Sequence, residues 1–87
     1  MSGSKAKQRW SLYVLECSDG TLYTGITNDL SRRLAQHNSG RASRYTRGRL
    51  PVKLVHAERC TDRSQALKRE YALKQLSRSE KIAAIGR

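Results

Sequence analysis

Residues 10–27, with the sequence WSLYVLECSDGTLYTGIT, decide the fold of this chain. Segments 10–17 and 21–27 are short and rich in aromatic, aliphatic and threonine residues, which is typical of β-strands. The turn residues between them, 18–20, end in a glycine that can adopt the left-handed conformation found in hairpin turns. The stretch therefore predicts two antiparallel strands. The first carries apolar residues on both faces, so we expect it to be buried on both sides.

The length of the turn decides which side chains share a face of the sheet. A three-residue turn pairs Tyr13 with Gly25, and it places Tyr23 on the same side as Tyr13. A two-residue Asp-Gly turn would shift the register and separate the two tyrosines. We favour the longer turn because a glycine in its left-handed position is common, and we then expect Gly25 to leave open space beside Tyr13. The alternative for both tyrosines is a structural role as core aromatics with a hydrated hydroxyl group.

Helix signals follow the hairpin. Asn28 or Asp29 can cap a helix whose buried stripe contains Leu30 and Leu34, and Gly40 is placed to end it. The remaining predicted elements are, in chain order, a basic loop or short helix at 41–49, a strand at 52–59, a helix from Asp62 to about residue 76 and a short helix at 81–85. The order β-β-α-β-α-α predicts an α+β domain, in which a small three-stranded antiparallel sheet is flanked by helices.

Two capping signatures support the C-terminal helices. Asp62 is followed three residues later by Gln65, and Ser77 is followed three residues later by Glu80. This spacing predicts a capping box, in which the two side chains bond each other's backbone N–H groups. We therefore expect one helix to begin after Asp62, and the short helix at 81–85 to follow the second signature.

The balance of charge favours a polyanionic partner. The chain has 87 residues, with 18 Lys and Arg against 7 Asp and Glu, and its formal net charge is +11. An excess of this size points to nucleic acid or to an acidic membrane surface. The length suits one domain, which excludes a two-domain enzyme, a repeat array and a dinucleotide-binding fold. We expect the domain to span 10–87, after a flexible basic segment at 1–9.

The sequence carries no signal for export or membrane insertion. The basic N-terminal segment is followed by no apolar run of the kind found in signal peptides, and no window is apolar enough for a membrane span. Cys17 and Cys60 form no zinc-binding pattern with the two histidines, and we expect no disulfide. These observations favour a cytoplasmic protein with reduced thiols.

Arg33 and His37 are separated by one helical turn and lie beside the stripe of Leu30 and Leu34. An arginine provides a permanent charge with forked donors, and a histidine can move a proton near neutral pH. The pair can therefore reach the edge of the sheet and handle a phosphate, whereas Arg32 points to water. The alternative is that Arg33 lies at the rim of the core and that His37 is an ordinary surface residue.

Glu70 is the acidic residue that lacks a local explanation. On the predicted helix it lies between Leu67 and Leu73, and a carboxylate inside an apolar stripe is costly unless it is paired. A divalent cation would serve, because hard cations favour carboxylate oxygen. The alternative is an ion pair with Lys74, four residues later. A single candidate carboxylate indicates a one-ion site.

The run from Leu30 to Pro51, which we call the acid-free run, contains six arginines and no acidic residue. Arginine interleaved with an aromatic side chain suits phosphate contact combined with base stacking, so we predict that this run binds nucleic acid. The predicted contact residues are Arg32, Arg33, Arg41, Arg44, Tyr45, Arg47 and Arg49. A run of solvated charge is the alternative.

The order of these residues resembles the GIY-YIG nuclease domain, and in particular its small stand-alone bacterial members. The triplet Ser11-Leu12-Tyr13 stands for GIY, and Tyr23-Thr24-Gly25, ten residues later, stands for YIG. Arg33, His37 and the later Glu70 fall where that family has its arginine, its histidine or tyrosine, and its metal-binding glutamate. The resemblance extends over most of 10–85, and it implies the α+β fold that the pattern also predicts.

The resemblance departs from the family pattern at three points. Only the tyrosine of the first triplet is kept, Ile26 replaces a polar or basic residue of the DNA-repair relatives, and the asparagine of some homing and restriction relatives has no firm counterpart. We also expect no appended DNA-binding domain. These departures concern target specificity and the strength of the activity rather than the fold.

The resemblance implies a nuclease that hydrolyses phosphodiester bonds with one Mg²⁺ or Mn²⁺ ion held by Glu70. Arg33 would bind a phosphate oxygen, and Tyr13 or Tyr23 would take a proton from water with His37 as acceptor or relay. We expect DNA rather than RNA as the substrate, cleavage with weak or structure-based selectivity, and a setting in DNA repair or recombination with a possible protein partner for targeting. The alternatives are a nucleic-acid-binding module without catalysis, and a small basic protein associated with RNA or ribosomes.

Overall fold

Strand β1 (Trp10–Glu16) is the centre of the fold. In the computed structural model, which describes residues 9–86, it lies between β2 (Leu22–Thr27) and β3 (Lys53–Cys60) in an antiparallel sheet of order β2-β1-β3. The four middle residues of β1 are all buried, as a central strand covered on both faces requires. The prediction for this strand is therefore confirmed, whereas the basic segment predicted at 1–9 lies outside the described residues apart from Arg9.

The turn between β1 and β2 sets the register of the hairpin. The backbone N–H of Cys17 donates to the carbonyl oxygen of Thr21 at 2.9 Å, which closes a turn of three residues. Gly20 ends that turn with a φ of 84°, a conformation that a side chain would disfavour. Tyr13 is therefore paired with Gly25, as predicted for the longer turn.

Four helices accompany the sheet within residues 9–86, and the predicted order β-β-α-β-α-α is confirmed once the short helix within 41–49 is included. They are α1 (Leu30–Asn38), α2 (Arg44–Arg47), α3 (Arg63–Lys74) and α4 (Arg78–Ala84). The last helix begins directly after Ser77, three residues earlier than predicted, because the Ser77 side chain caps it. Within the described part of the chain, none of these helices is long and apolar enough to cross a membrane.

The two predicted capping boxes differ in outcome. Ser77 and Glu80 form the reciprocal box, in which each side chain accepts from the backbone N–H of the other residue. For Asp62 and Gln65, only one of the two predicted hydrogen bonds forms, so the predicted capping box is wrong. The Asp62 side chain accepts from the Gln65 N–H at 2.8 Å, but the Gln65 side chain accepts from the N–H of Thr61. The helix is still capped, and the glutamine fixes the residue before the cap.

The alternation of side chains along β1 divides the core into two clusters. Leu12 and Val14 belong to a cluster with residues of α3 and with Cys60. Tyr13 and Leu15 point to the other face, where they form a cluster with Cys17 and the leucines of α1. The sheet therefore separates a purely structural cluster from one that contains a tyrosine of the predicted site.

A network of charged side chains attaches α3 to β3. Arg69 donates two hydrogen bonds to the carboxylate of Glu58, at 2.8 and 3.0 Å, and His56 bonds the same carboxylate at 2.7 Å. The bonds from Arg69 are the main reason that the pKa of Glu58 falls to about 2. Because Arg69 precedes Glu70 in the helix, this network fixes the helix that carries the predicted metal ligand.

Candidate active site

Tyr13, His37 and Thr46 form a chain of hydrogen bonds beneath the surface. The hydroxyl oxygen of Tyr13 lies 2.8 Å from Nε2 of His37, and Nδ1 of His37 lies 2.8 Å from the hydroxyl oxygen of Thr46. All three side chains are buried, with His37 only 1% exposed. The alternative of an ordinary surface histidine is therefore wrong. The helical pattern places His37 at the flank of α1, and α2 covers its ring there.

The hydroxyl of Thr46 determines how the protons are arranged. It donates to the carbonyl oxygen of Ser43 at 3.4 Å, so it accepts from Nδ1 of His37. Nε2 of the ring is then left as the acceptor for the hydroxyl of Tyr13. We infer from this network that His37 is neutral and holds its proton on Nδ1.

The electrostatic environment agrees with a neutral pair. Burial, together with the nearby positive charge of Arg33, lowers the pKa of His37 below 6.5. Burial is also the main cause that raises the pKa of Tyr13, with further contributions from Tyr23 and Glu70, while Arg33 opposes the shift. Tyr13 therefore keeps its proton near neutral pH and donates it to the hydrogen bond with His37.

Gly25 is required by the position of Tyr13. A Cβ atom at Gly25 would lie 2.5 Å from the hydroxyl oxygen of Tyr13 and 2.6 Å from its Cζ. The open space predicted beside Tyr13 is therefore absent, because the tyrosine ring itself fills it. Glycine at this position allows the ring to lie across β2 and reach His37.

Tyr23 extends the cluster towards the surface. Its ring centroid lies 5.1 Å from that of His37, 6.4 Å from that of Tyr13 and 5.8 Å from that of Tyr45. The ring is partly exposed, and its hydroxyl has no hydrogen-bond partner among residues 9–86. The expectation that the two tyrosines lie on the same side is confirmed, and Tyr23 is the more exposed of the two.

Arg32 and Arg33 line a polar cleft of about 240 Å³ at the start of α1, which we call the arginine cleft. The other lining residues are Thr27, Asn28, Asp29 and Gln36. Asp29 is also the cap of α1, because its carboxylate accepts from the N–H of Arg32. Arg32 is exposed as expected, yet it shares the cleft with Arg33 rather than pointing away from it.

Glu70 lies at the border of the core. Its side chain is 18% exposed and forms an ion pair with Lys74 at 3.1 Å, which is the structural alternative considered above. The apolar stripe predicted around Glu70 is only partly present, because Ala66 and Leu73 are buried whereas Leu67 is 38% exposed. The carboxylate is near enough to Tyr13 to contribute to its raised pKa.

The chemistry of this carboxylate fits a single magnesium or manganese ion. Within residues 9–86, no three His, Cys, Asp or Glu side chains are grouped so that they could hold an ion. Mg²⁺ is often bound through one or two carboxylates, with water and phosphate oxygens as its other ligands. Glu70 fits that role once its ion pair with Lys74 opens, and a buried multi-ligand site is not needed.

The arginines of the acid-free run are arranged differently from one another. Arg41, Arg44 and Arg47 are exposed. Arg49 instead lies 4.1 Å over the ring of Tyr45 and donates from Nε to the carboxylate of Asp19 at 2.9 Å. The first three are therefore open to a polyanion, whereas Arg49 also holds the hairpin turn against α2.

Thr46 is the member of the site that the sequence does not reveal. It lies nine residues after His37, in a stretch without apolar periodicity, and a single threonine among arginines gives no signal for burial. Ser43, which caps α2 and accepts from Thr46, explains why a helix of only four residues forms there. The short helix thus completes the site by covering His37.

A family model and curated relatives match this chain over most of its length. Residues 9–83 match the model described as the GIY-YIG catalytic domain. A UPF0213 protein of Halobacterium salinarum is 57% identical over 72 residues, which cover 83% of this chain and 94% of that protein. A UPF0213 protein of Desulfotalea psychrophila is 58% identical over 73 residues, which cover 83% of this chain and 66% of that protein. The chain thus spans slightly less than two thirds of the Desulfotalea relative, and the names of both relatives state no activity.

Two solved structures share the fold and much of the sequence. The solution NMR structure of a UPF0213 protein from Bacillus halodurans has a TM-score of 0.59 and 42% identity, covering 88% of this chain and 82% of that one. A solution NMR structure from E. faecalis has a TM-score of 0.60 and 44% identity, covering 86% of this chain and 80% of that one. At these identities the likeness reflects common descent as well as a common fold.

Proposed function

Because the chain belongs to the GIY-YIG family of catalytic domains, a nuclease superfamily, we propose that it is an endonuclease that hydrolyses phosphodiester bonds in DNA with one Mg²⁺ or Mn²⁺ ion. The observation that carries this proposal is the buried chain from Tyr13 through His37 to Thr46, with the accessible Tyr23 beside it. Such a chain, next to the arginine cleft, is suited to moving a proton close to a phosphate group.

Tyr23 is the residue to which we assign contact with the attacking water. Tyr13 is the poorer candidate because burial raises its pKa and because its proton is already donated to His37. The hydroxyl of Tyr23 has no protein partner in the described part of the chain and lies next to an open surface.

The other residues bind and orient. Arg33 provides a forked, permanently charged donor for a non-bridging phosphate oxygen, and Arg32 enlarges the same positive cleft. His37 keeps Tyr13 in place by accepting a hydrogen bond from its hydroxyl group, and Thr46 keeps the ring of His37 in the required orientation. A divalent ion held by Glu70 would neutralise charge on the phosphate and on the leaving oxygen.

A nuclease assay with matched variants tests the proposal. We expect purified protein to nick supercoiled, branched or single-stranded DNA with Mg²⁺ or Mn²⁺ but not with EDTA. The variants Tyr23→Phe, Arg33→Lys and Glu70→Gln should each reduce the rate by at least about 100-fold. Tyr71→Phe is the control, because the side chain of Tyr71 is 68% exposed on α3 and its hydroxyl forms no hydrogen bond within residues 9–86. Cleavage that survives in all three site variants would overturn the proposal.

The ion pair between Glu70 and Lys74 favours one alternative function, a nucleic-acid-binding module without catalysis. This alternative predicts salt-dependent binding of DNA or RNA with no cleavage under any metal. Comparison of DNA with RNA in the same assay tests the substrate preference. For a nuclease, the setting that we propose is DNA repair or recombination in the cytoplasm, with a further protein that supplies the target.

A further inference from the structure

A second cationic cleft lies at the far end of β2 from the arginine cleft. Its volume is about 210 Å³, and it is formed where the start of β2 meets α2 and α4; we call it the hairpin cleft. It is lined by Thr21, Leu22, Tyr45, Arg78 and Lys81. Neither Arg78 nor Lys81 belongs to the acid-free run, so the basic pattern of the sequence did not identify them.

The two cations of the hairpin cleft have no carboxylate partner within residues 9–86. Arg78 donates one hydrogen bond from Nη2 to the carbonyl oxygen of Gly20 at 2.8 Å, which fixes its guanidinium beside the hairpin turn and leaves its other N–H groups available. Lys81 is partly buried, and no carboxylate pairs with it between residues 9 and 86. Burial and the ammonium group of Lys74 lower the pKa of Lys81, so an anion in the cleft would be stabilised by an otherwise unpaired cation.

The hairpin cleft is continuous with the site through aromatic contacts. Tyr45 lines the cleft, and its ring lies 5.8 Å from that of Tyr23 with an angle of 31° between the planes. The arginine cleft begins at Thr27 and Asn28, at the other end of the same strand. β2 is an edge strand, so nothing in the sheet separates the two clefts along its open side.

We propose that the hairpin cleft is a second phosphate-binding subsite, in which Lys81 and Arg78 hold the backbone of a nucleic-acid strand that runs along β2 from the arginine cleft. This inference rests on the proposed function, and it deepens that function by defining the path of the strand. The seven residue steps from Thr21 to Asn28 span about 23 Å at ~3.3 Å per residue. That distance corresponds to about seven stacked nucleotides at ~3.4 Å each.

Binding of short and long oligonucleotides tests this path. Fluorescence anisotropy in EDTA, which prevents cleavage, would compare a labelled trinucleotide with a labelled dodecanucleotide. Only the longer strand can occupy both clefts, so we expect Lys81→Gln to reduce its affinity advantage over the trinucleotide about fivefold. The slope of log affinity against log salt for the dodecanucleotide should fall by about 0.7, the value of one phosphate contact on a single strand.

Two further variants control for charge and for folding. Arg59→Gln removes one positive charge from β3, at the opposite edge of the sheet, and it should leave the affinity ratio unchanged. Lys81→Arg should restore the ratio, because it returns a cation to the hairpin cleft. Thermal unfolding followed by circular dichroism verifies that each variant is folded.

The outcomes separate this inference from the proposed function. Equal affinity ratios for the wild type and Lys81→Gln, with tight binding of the dodecanucleotide, would overturn the second subsite and leave the nuclease proposal intact. A reduced ratio in Lys81→Gln without any cleavage in the metal assay would support the subsite while removing the catalytic part of the proposal. Absence of binding to every oligonucleotide would overturn both.

Discussion

The two histidines of this protein lie in different elements, His37 in α1 and His56 in β3, and they have opposite kinds of partners. His37 is buried and bonded to two neutral hydroxyl groups, those of Tyr13 and Thr46. His56 is partly exposed and bonded to the carboxylate of Glu58, which Arg69 also binds. The partners of His37 are therefore uncharged, whereas His56 belongs to a network with a carboxylate and a guanidinium group.

Under the proposed function, this difference assigns proton transfer to the region around His37 and the attachment of α3 to the region around Glu58. A neutral histidine between two hydroxyl groups forms no ion pair, so it positions Tyr13 without holding a charge. A carboxylate that receives two bonds from Arg69 is strongly held in its charged form, so its network is suited to fixing α3 against β3. We therefore expect substitutions around His37 to affect activity first, and substitutions around Glu58 to affect stability first.

Replacement of each histidine by asparagine should give the largest difference between the two regions, measured as the rate of DNA cleavage. We expect His37→Asn to reduce the rate of DNA cleavage by at least about 100-fold, because it removes the acceptor that keeps Tyr13 in place. His56→Asn should change the rate less than about threefold, since Arg69 still pairs with Glu58. Rates would be measured on the same DNA substrate after circular dichroism has shown that both variants are folded. Similar losses in both variants would contradict the division into two regions.

Replacement of Gly25 tests how closely the region around His37 is packed. Gly25→Ala would place a Cβ atom 2.5 Å from the hydroxyl oxygen of Tyr13, so we expect a loss of about 1–3 kcal/mol in the free energy of unfolding, together with loss of cleavage. Gly48→Ala is a matched control, because a Cβ atom there meets nothing within 4 Å and its φ is −89°. Denaturant unfolding measures both variants. Equal stability of the two would mean that the ring of Tyr13 has another position available.

The hydroxyl of Thr46 has a smaller expected effect. Thr46→Val keeps the shape of the side chain but leaves Nδ1 of His37 without its buried partner. We expect a loss of about 1–3 kcal/mol in the free energy of unfolding and about a tenfold loss in the rate of cleavage. Thr46→Ser keeps the hydroxyl and should restore most of the rate. If valine and serine gave the same rate, Thr46 would not orient the histidine.

The sequence predicted the hairpin side of the site well, for a local reason. The turn residues and the pairing of Tyr13 with Gly25 follow from turn length alone, and the shared face of Tyr13 and Tyr23 follows from the pairing. The burial of His37 could not be predicted, because it depends on α2, a helix of four residues without apolar periodicity. Helical spacing alone places His37 at the edge of the stripe formed by Leu30 and Leu34.

The same limit applies to Glu70. Helical spacing placed Leu67 and Leu73 on either side of it, but only Leu73 is buried, since the sheet covers one flank of α3 and leaves the other exposed. The sequence could name Lys74 as a possible partner, and that ion pair is present. Cations from a later helix, Arg78 and Lys81, come close to the site only through the fold, and no local pattern relates them to Tyr45.

The smallest expected difference between the region around His37 and the region around Glu58 is the pH range in which each contributes to stability. The pKa of His37 is lowered in the folded protein, so its contribution to stability is present above 6.5, the ordinary value, and is lost as pH falls through the folded-state pKa. The pKa of Glu58 is about 2, so its contribution is present above 4.5 and is lost as pH falls towards 2. Glu58→Gln should therefore remove the pH dependence of stability between about pH 4.5 and 2 and no other part of it. His37→Asn should remove only the dependence just below pH 6.5. Melting temperatures measured from pH 8 to pH 2 would show this. Loss of the pH dependence in both ranges in one variant would mean that the two networks are coupled through β1.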